Sequence, residues 1–367
     1  MNRLICFLKS EIVLCVSAVL TCLSMLLVPP SAAYLSYIDF RVLSILFCLM
    51  AVVAWFTRLG VFQVLSQWLV EKSRNAKMLS LILVLLCFFS SMLITNDVAL
   101  LTFVPLAVTI LSVESQKRLI FTVVMQTVAA NLGSMLTPVG NPQNLYLYSF
   151  YQVPILKFFQ ITAPIWLIGL VLIIGLMLCG KSQNITVSFP QKAKIVRKSS
   201  FLICLGLFGL CLLTVLHLVP YGVCLAVVFM TIAGMERSLL RMIDYGLLGT
   251  FVCFFIVVGN IGNMEAVQTW ITGAVQGRAL VLSVLLSQVI SNVPAAFMLS
   301  AFTKDAAELI QGTNIGGLGT LIASLASLIS FKLYARSQGA DTRRYLTSFT
   351  LYNTAFLGIL LLAVFFL

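Results

Sequence analysis

Ile94-Thr95-Asn96-Asp97-Val98-Ala99 and Ile290-Ser291-Asn292-Val293-Pro294-Ala295 each set a hydroxyl and an amide into the middle of an apolar segment. In lipid no water is at hand for the backbone groups that such a break frees. It is tolerated only where it is buried in protein or lines a watery cavity. Two breaks at corresponding places in two halves of a chain point to a transporter's binding site. The arms around them, 78–112 and 279–302, predict two re-entrant hairpins, each entering the membrane and returning to its own side.

The rest of the composition agrees with a lipid solvent. Residues of the AVILMFWYC set make up 61% of the chain and charged residues 9%. The apolar runs reach the length of about 20 residues that crosses a bilayer as helix. Full spans are predicted at 11–28, 40–57, 119–150, 160–180, 199–219, 221–235, 245–262, 313–334 and 345–367. The fold class is therefore an all-α polytopic membrane protein with about nine full spans plus two hairpins. The segment 119–150 is too long for one straight crossing, and its centre, from Asn131 to Asn144, is rich in Gly, Pro and Asn, so an unwound break is expected there.

A net charge of +12 invites nucleic acid as a partner, but the basic residues sit in short loops between apolar runs, where they act as topology signals. No nucleic acid is expected; the lipid bilayer is. With the N-terminus and the basic loop 181–198 cytoplasmic, all of the 23 basic residues fall inside except Arg41, Lys157, Arg278 and Lys304. Turning either hairpin into a full crossing would put several basic clusters on the wrong side. The ten cysteines show no Cys-x-x-Cys spacing and read as small apolar residues. Arg3 and Lys9 before an apolar run imitate a secretion signal, and a retained first span is the expectation. Gly175 to Ser182 matches the phosphate-loop pattern letter for letter, but its first half is the apolar end of a span with no strand before it.

The chain also reads as duplicated, with the second copy upside down. Ile38-Asp39-Phe40 matches Ile243-Asp244-Tyr245, Gly60 and Trp68 match Gly262 and Trp270, Thr95-Asn96 matches Ser291-Asn292, and Asn131-Leu132-Gly133 through Thr137 matches Asn314-Ile315-Gly316 through Thr320. The resulting organisation is a first inverted repeat over 1–180, with hairpin 78–112 and broken helix 119–150, and the basic loop 181–198. A linking span and second inverted repeat follow over 199–367, with hairpin 279–302 and broken helix 313–334.

These residues, the Thr-Asn-Asp and Ser-Asn-Val tips and the two Asn-x-Gly broken helices, resemble the ion transporter superfamily, which holds arsenite permeases, sodium/proton antiporters, and citrate and dicarboxylate carriers. The resemblance implies two inverted repeats meeting at a central site, a homodimer in which a scaffold part anchors a moving transport part, and residence in a bacterial inner membrane.

The chemistry follows without the resemblance. Unwound segments expose carbonyl oxygens, and Asn or Thr adds neutral oxygens suited to a hard cation such as Na⁺. The half-helix after each break points its N–H groups at an anion. Thr95, Asn96, Thr137, Gly140, Asn141 and Asn144 form an expected first half-site, and Ser291, Asn292, Thr313, Asn314 and Thr320 a second. Na⁺ is placed near Asn96, Asn141 and Asn292; beyond Na⁺ or H⁺ as coupling ion no cofactor is expected. The bland alternative is that these residues serve as caps and interhelical hydrogen bonds.

Asp97 carries the charge. An intramembrane carboxylate costs several kcal/mol and usually marks an ion or proton path; capping of the second hairpin arm is the alternative. In the dicarboxylate branch of the resembling family a hydroxyl follows each tip Asn, where this chain has Asp97 and Val293. A fixed negative charge argues against a di- or tricarboxylate. The expected function is an ion-coupled secondary transporter of a small anion or metalloid species working by alternating access. A sodium/proton antiporter using Asp97 stands second and a passive channel third. No nucleophile-base cluster points to an enzyme.

Overall fold

In the computed structural model the described residues are 11–73, 75–112, 115–179, 194–195 and 197–366. Most of the basic loop predicted at 181–198, with Arg3, Lys9 and Arg74, lies outside them. Among them the chain is helical throughout its ordered elements. In chain order these are α1 (Ile12–Leu27), α2 (Tyr34–Tyr37), α3 (Phe40–Arg58), α4 (Val61–Val70), α5 (Ala76–Ile94), α6 (Asn96–Leu111), α7 (Gln116–Ser134), α8 (Pro142–Phe150) and α9 (Ile155–Leu178). The second half has α10 (Lys198–Val215), α11 (Tyr221–Met235), a 3₁₀ turn (Arg237–Met242), α12 (Tyr245–Gly262), α13 (Glu265–Val275), α14 (Ala279–Ile290), α15 (Asn292–Ser300), α16 (Ala306–Gly316), α17 (Leu325–Ala335) and α18 (Thr342–Phe365). Six of these, α3, α5, α9, α10, α12 and α18, are long and apolar enough to cross a membrane. The protein is an all-α polytopic membrane protein.

Polar residues at loop ends set the helix starts by accepting orphan N–H groups. Asp39 Oδ1 accepts from Val42 N–H at 2.9 Å and Asp244 Oδ1 from Leu247 N–H at 2.8 Å, so the matched aspartates cap α3 and α12 alike. Asn75, Asp305 and Asp341 cap α5, α16 and α18 in the same way.

A pair of helices meets at each expected hairpin tip, α5 with α6 and α14 with α15, and the two pairs differ. The arms α14 and α15, of 12 and 9 residues, reach only about 18 and 14 Å at 1.5 Å per residue, too short to cross. The first arm of the other hairpin, α5, has 19 residues, about 28 Å, long enough to cross on its own. It ends where the backbone turns at Thr95. Thr95 and Ser291 both hold positive φ, 69° and 79°, a region that costs a non-glycine residue about 1–3 kcal/mol.

The chain divides into two compact units. One comprises Met1–Trp55, Leu202–Ala279 and Phe297–Lys304. There α1 packs on α12, Thr21 Oγ1 donates to the Cys253 carbonyl at 3.1 Å, and Asn260 Nδ2 donates to Ser24 Oγ and Tyr34 OH at 3.0 and 2.9 Å. Phe297 is boxed by Phe251, Phe254 and Phe255. Cys211 and Cys224 lie 3.9 Å apart, sulfur to sulfur, and are free thiols.

The other unit comprises Phe56–Phe201, Leu280–Ala296 and Asp305–Leu367, and α7 is its axis. From Thr122 to Ser134 every residue of α7 is buried, as required of a helix surrounded on all sides. Around it pack α5, α6, α9, α17 and α18. Each compact unit thus draws on both sequence halves.

Candidate functional site: a crossed amide cluster

Helix α7 ends at Ser134 and α8 begins at Pro142; α16 ends at Gly316 and α17 begins at Leu325. The unwound segments between them, 135–141 and 317–324, fall where the broken helices are expected. Each hairpin tip is tied to one of them by the same bond. Asn96 N–H donates to the Gly140 carbonyl at 3.2 Å, and Asn292 N–H to the Ala323 carbonyl at 2.9 Å. Thr137 Oγ1 donates to the Met92 carbonyl, and Thr320 Oγ1 to the Gln288 carbonyl at 3.0 Å. Met92 lies four residues before Asn96, as Gln288 does before Asn292.

The close contacts recur as well. A Cβ on Gly133 would collide with the Phe88 carbonyl and Ser91 Oγ of α5; one on Gly316 would meet Ser287 Oγ at 2.7 Å and the backbone of Val284 in α14. Ser91 and Ser287, and Phe88 and Val284, stand at equal distances before their tip asparagines. The local geometry therefore repeats contact by contact.

The amides cross between the broken helices. Asn141 Nδ2 donates to Asn314 Oδ1 at 3.2 Å, and Asn314 Nδ2 donates to Asn144 Oδ1 at 2.7 Å. In the reciprocal position Ser324 Oγ donates to Asn131 Oδ1 at 3.1 Å, and Asn131 Nδ2 donates to the Gly317 carbonyl at 3.4 Å. Asn131 Oδ1 also accepts from Asn96 Nδ2 at 3.0 Å, so the first hairpin tip joins the cluster. Asn96, Asn131, Asn141, Asn144, Asn292 and Asn314 are all buried, at 5% exposure or less. Buried amides of this kind are stable only when their donors and acceptors are met.

Of the expected site residues, Asn96, Asn141, Asn144 and Asn314 come together here. Asn141 also caps α8, taking the N–H of Asn144 at 3.0 Å. Asn144 holds the first loop through the Met135 and Thr137 carbonyls at 3.2 and 3.4 Å. Gly140 is where the chain passes so near Ser134 that a Cβ would strike its carbonyl. Asn292 and Ser291 lie against the second loop, with Ser291 Oγ 3.4 Å from the Ala323 carbonyl. The hydroxyls of Thr95's partners in the prediction behave differently: Thr137 and Thr320 brace the loops as above, and Thr313 Oγ1 donates back to Leu309 within its own helix at 2.8 Å. Thr320 is exposed, and Asp97 is half-buried in the first turn of α6, its N–H taken by Asn96 Oδ1 at 3.0 Å.

Three contributors are absent from the sequence-based list: Asn131, Ser324 and Gln288. Asn131 was visible as the repeat partner of Asn314. Ser324 was not, because the matching position carries Asn141, and serine in an apolar run gives no signal. Gln288 is the least legible. Its Nε2 donates to the Gly316 and Leu318 carbonyls at 2.9 and 3.0 Å, and its Oε1 accepts from Thr320 N–H at 2.9 Å. One side chain thus holds the second break open, where the first has Pro138 and Pro142. His217 lies in the other unit, where partial burial and then Arg41 lower its pKa and favour the neutral imidazole. Among the described residues no group of His, Cys, Asp and Glu is arranged to hold a metal.

A polytopic helical protein with paired hairpins and broken helices around buried amides has the architecture of a secondary transporter. A family model described as citrate transporter matches residues 4–325, and the chain belongs to that family, within the ion transporter superfamily. It is 32% identical to an uncharacterized transporter of Methanocaldococcus jannaschii over 71% of this chain and 72% of the relative. It is 31% identical to the inner membrane protein YbiR of Escherichia coli over 80% and 78%. A shorter match, 28% identical over 40% of this chain and 30% of the relative, is to the silicon efflux transporter LSI3 of rice. The protein is a membrane-embedded secondary transporter of a small-molecule substrate.

Proposed function

We propose that the chain is an ion-coupled carrier of a small anion or metalloid species, working by alternating access, with its substrate bound at the crossed amides of Asn96, Asn131, Asn141, Asn144 and Asn314. The observation that carries this reading is the cluster itself: five buried asparagines gathered where two helices are broken, a place where irregular backbone serves a ligand. Twelve residues of α7 separate Asn131 from Leu119, the first apolar residue after Lys117 and Arg118, about 18 Å, which supports a depth close to the midplane of a bilayer some 30 Å thick.

Charge narrows the cargo. The segments 78–112, 119–150, 279–302 and 313–331 contain one charged residue, Asp97. A tricarboxylate would meet a carboxylate and no basic side chain from these segments, whereas a neutral hydroxylated metalloid or a weakly charged anion can be held by amide and hydroxyl groups alone. The family description names citrate and one relative's name silicon; the amide chemistry favours the second kind of cargo. Asp97 supports sodium/proton antiport as the second reading, because it can exchange a proton for a cation with no anion bound. The N-terminus is taken as cytoplasmic and the membrane as a bacterial inner one, on the basic loops.

The experiment is lumenal pH in proteoliposomes on addition of Na⁺ salts, Li⁺ salts, citrate, arsenite and silicic acid in turn, with Asn96→Ala as control. A response to a metalloid or anion that the variant lacks supports the carrier. A response to Na⁺ alone sinks it in favour of the antiporter.

A further inference from the structure

Helices α9 and α18 each follow one of the broken pairs, each has 24 residues, and each is long and apolar enough to cross the membrane. They pack on each other, and both lie against α7 and α16, the helices that bring Asn131 and Asn314 into the amide cluster. Among the described residues few buried side-chain polar atoms lack a hydrogen-bond partner, and one falls on each of these helices: Trp166 Nε1 and Asn353 Oδ1. The two occupy the same place. Trp166 is the twelfth residue counted from Ile155, and Asn353 is the twelfth from Thr342. That is about 17 Å along helices of about 36 Å, the middle of each crossing.

Each of these atoms sits beside a helix break. On α9, Thr162 Oγ1, one turn before Trp166, donates to the Leu136 carbonyl at 3.3 Å. A Cβ on Gly169, about one turn after it, would meet Leu132 Cδ1 at 2.9 Å. The face of α9 that carries Trp166 therefore lies along the end of α7 and the first unwound segment. The indole packs against the rings of Phe88 and Phe89, centroids 5.1 and 6.2 Å away, which offer its N–H no oxygen. On α18, Leu357 Cδ1, one turn after Asn353, comes within 3.0 Å of the place a Cβ on Gly319 would take in the second unwound segment. Asn353 is fully buried, and its Nδ2 donates to the Phe349 carbonyl at 3.0 Å. Exchanging the ends of that amide would set two oxygens together, so the atom left over is the acceptor.

A buried polar atom without a partner destabilises the fold, and packing returns nothing for it. Leucine or phenylalanine would occupy either place without that penalty. In mid-membrane, beside irregular backbone that serves a cavity or a ligand, the missing partner is one a ligand supplies. The two atoms also differ in kind: an indole N–H only donates and an amide oxygen only accepts. Together they ask for an oxygen with a free lone pair and for a hydroxyl with its proton. A deprotonated oxyanion answers the first and is repelled by the second.

We infer that Trp166 and Asn353 belong to the substrate site, as a donor and an acceptor at the two breaks, and that the substrate they take is an uncharged hydroxylated species such as a metalloid hydroxide. This rests on the carrier reading above and narrows its cargo to the neutral form.

The test uses the full protein in proteoliposomes near neutral pH, where silicic acid and arsenite are neutral hydroxides and citrate is an anion, each as probe. KM is read for Trp166→Phe and Asn353→Leu, together with the melting temperature of Asn353→Leu in detergent without probe; if leucine prevents folding, Asn353→Ala takes its place for KM. A KM for silicic acid or arsenite raised at least about fivefold in both variants, with the melting temperature of Asn353→Leu kept or raised, supports the assignment. A smaller rise at either position, or a lowered melting temperature in Asn353→Leu, makes these residues packing groups and overturns it while the carrier stands. A wild type that moves citrate and neither hydroxide overturns the neutral cargo and likewise leaves a carrier. A wild type that moves none of the three overturns both readings.

Discussion

Asn141 and Asn314 stand 173 positions apart in the chain and meet through one hydrogen bond of 3.2 Å. Their counterparts Ser324 and Asn131 make the same bond at 3.1 Å, with a hydroxyl in place of the amide donor. Each broken helix therefore reaches into the unwound segment of the other, and movement of one loop without the other breaks a buried pair. A cluster joined this way couples the two breaks mechanically, as a carrier requires of a site whose halves must change together.

Exchange of donor type between the two bonds is the first prediction. Asn141→Ser copies the Ser324 arrangement and should retain substantial transport, whereas Asn141→Ala leaves Asn314 Oδ1 and the N–H of Asn144 without their partner at a cost of about 1–3 kcal/mol each. Thermal unfolding in detergent and uptake in proteoliposomes would show it. Equal loss in both variants would remove the claim that the crossed bond, and not the amide as such, matters.

Packing at the matched glycines gives the second. Gly133→Ala and Gly316→Ala force a methyl into the hairpin arm beside each, and overpacking of a rigid contact costs about 1–3 kcal/mol. Gly358→Ala, in α18, meets nothing within 4 Å and should be neutral or raise stability by a fraction of a kcal/mol through helix propensity. The comparison is made by fluorescence-detected thermal shift. Destabilisation at Gly358 as large as at Gly133 would show that helix propensity and not contact governs these sites.

The strained tips give the third. Thr95 at φ 69° and ψ 152° suits glycine, so Thr95→Gly should relieve roughly 1 kcal/mol of strain and raise the melting temperature, while freeing the tip to sample other conformations and slowing transport. A lower melting temperature would mean that the threonine side chain holds the tip more strongly than its backbone is strained.

The sequence was most informative where composition changes abruptly. Apolar runs bounded by Asn, Asp, Gly and Pro located the helices, and the Asn-x-Gly recurrence located the broken pairs, because a break in lipid must be written in residues that tolerate it. It was less informative about reach. Nothing in the runs distinguishes α5, long enough to cross, from the shorter arms α14 and α15, since all three are mainly apolar. The grouping of Thr137 and Thr320 with the amides also follows from type and spacing alone. Only three dimensions reveal that their hydroxyls brace the loops, and that Asn314 belongs with Asn141 and Asn144 of the other half.

The fourth prediction concerns Gln288, whose role no spacing rule signals. The first break is stiffened by Pro138 and Pro142 within the chain; the second contains no proline, includes Gly319 at φ 101°, and depends on three hydrogen bonds from one side chain. Gln288→Met keeps the length and places there the residue type found at the matching Met92. It removes both donors to Gly316 and Leu318 and the acceptor for Thr320. Amide hydrogen exchange should then rise in 317–324 and stay unchanged in 135–141, with transport showing a raised KM because the loop is less ordered before substrate arrives. If exchange in 317–324 is unaltered, the loop is held by its packing against α14, and Gln288 has no positioning role.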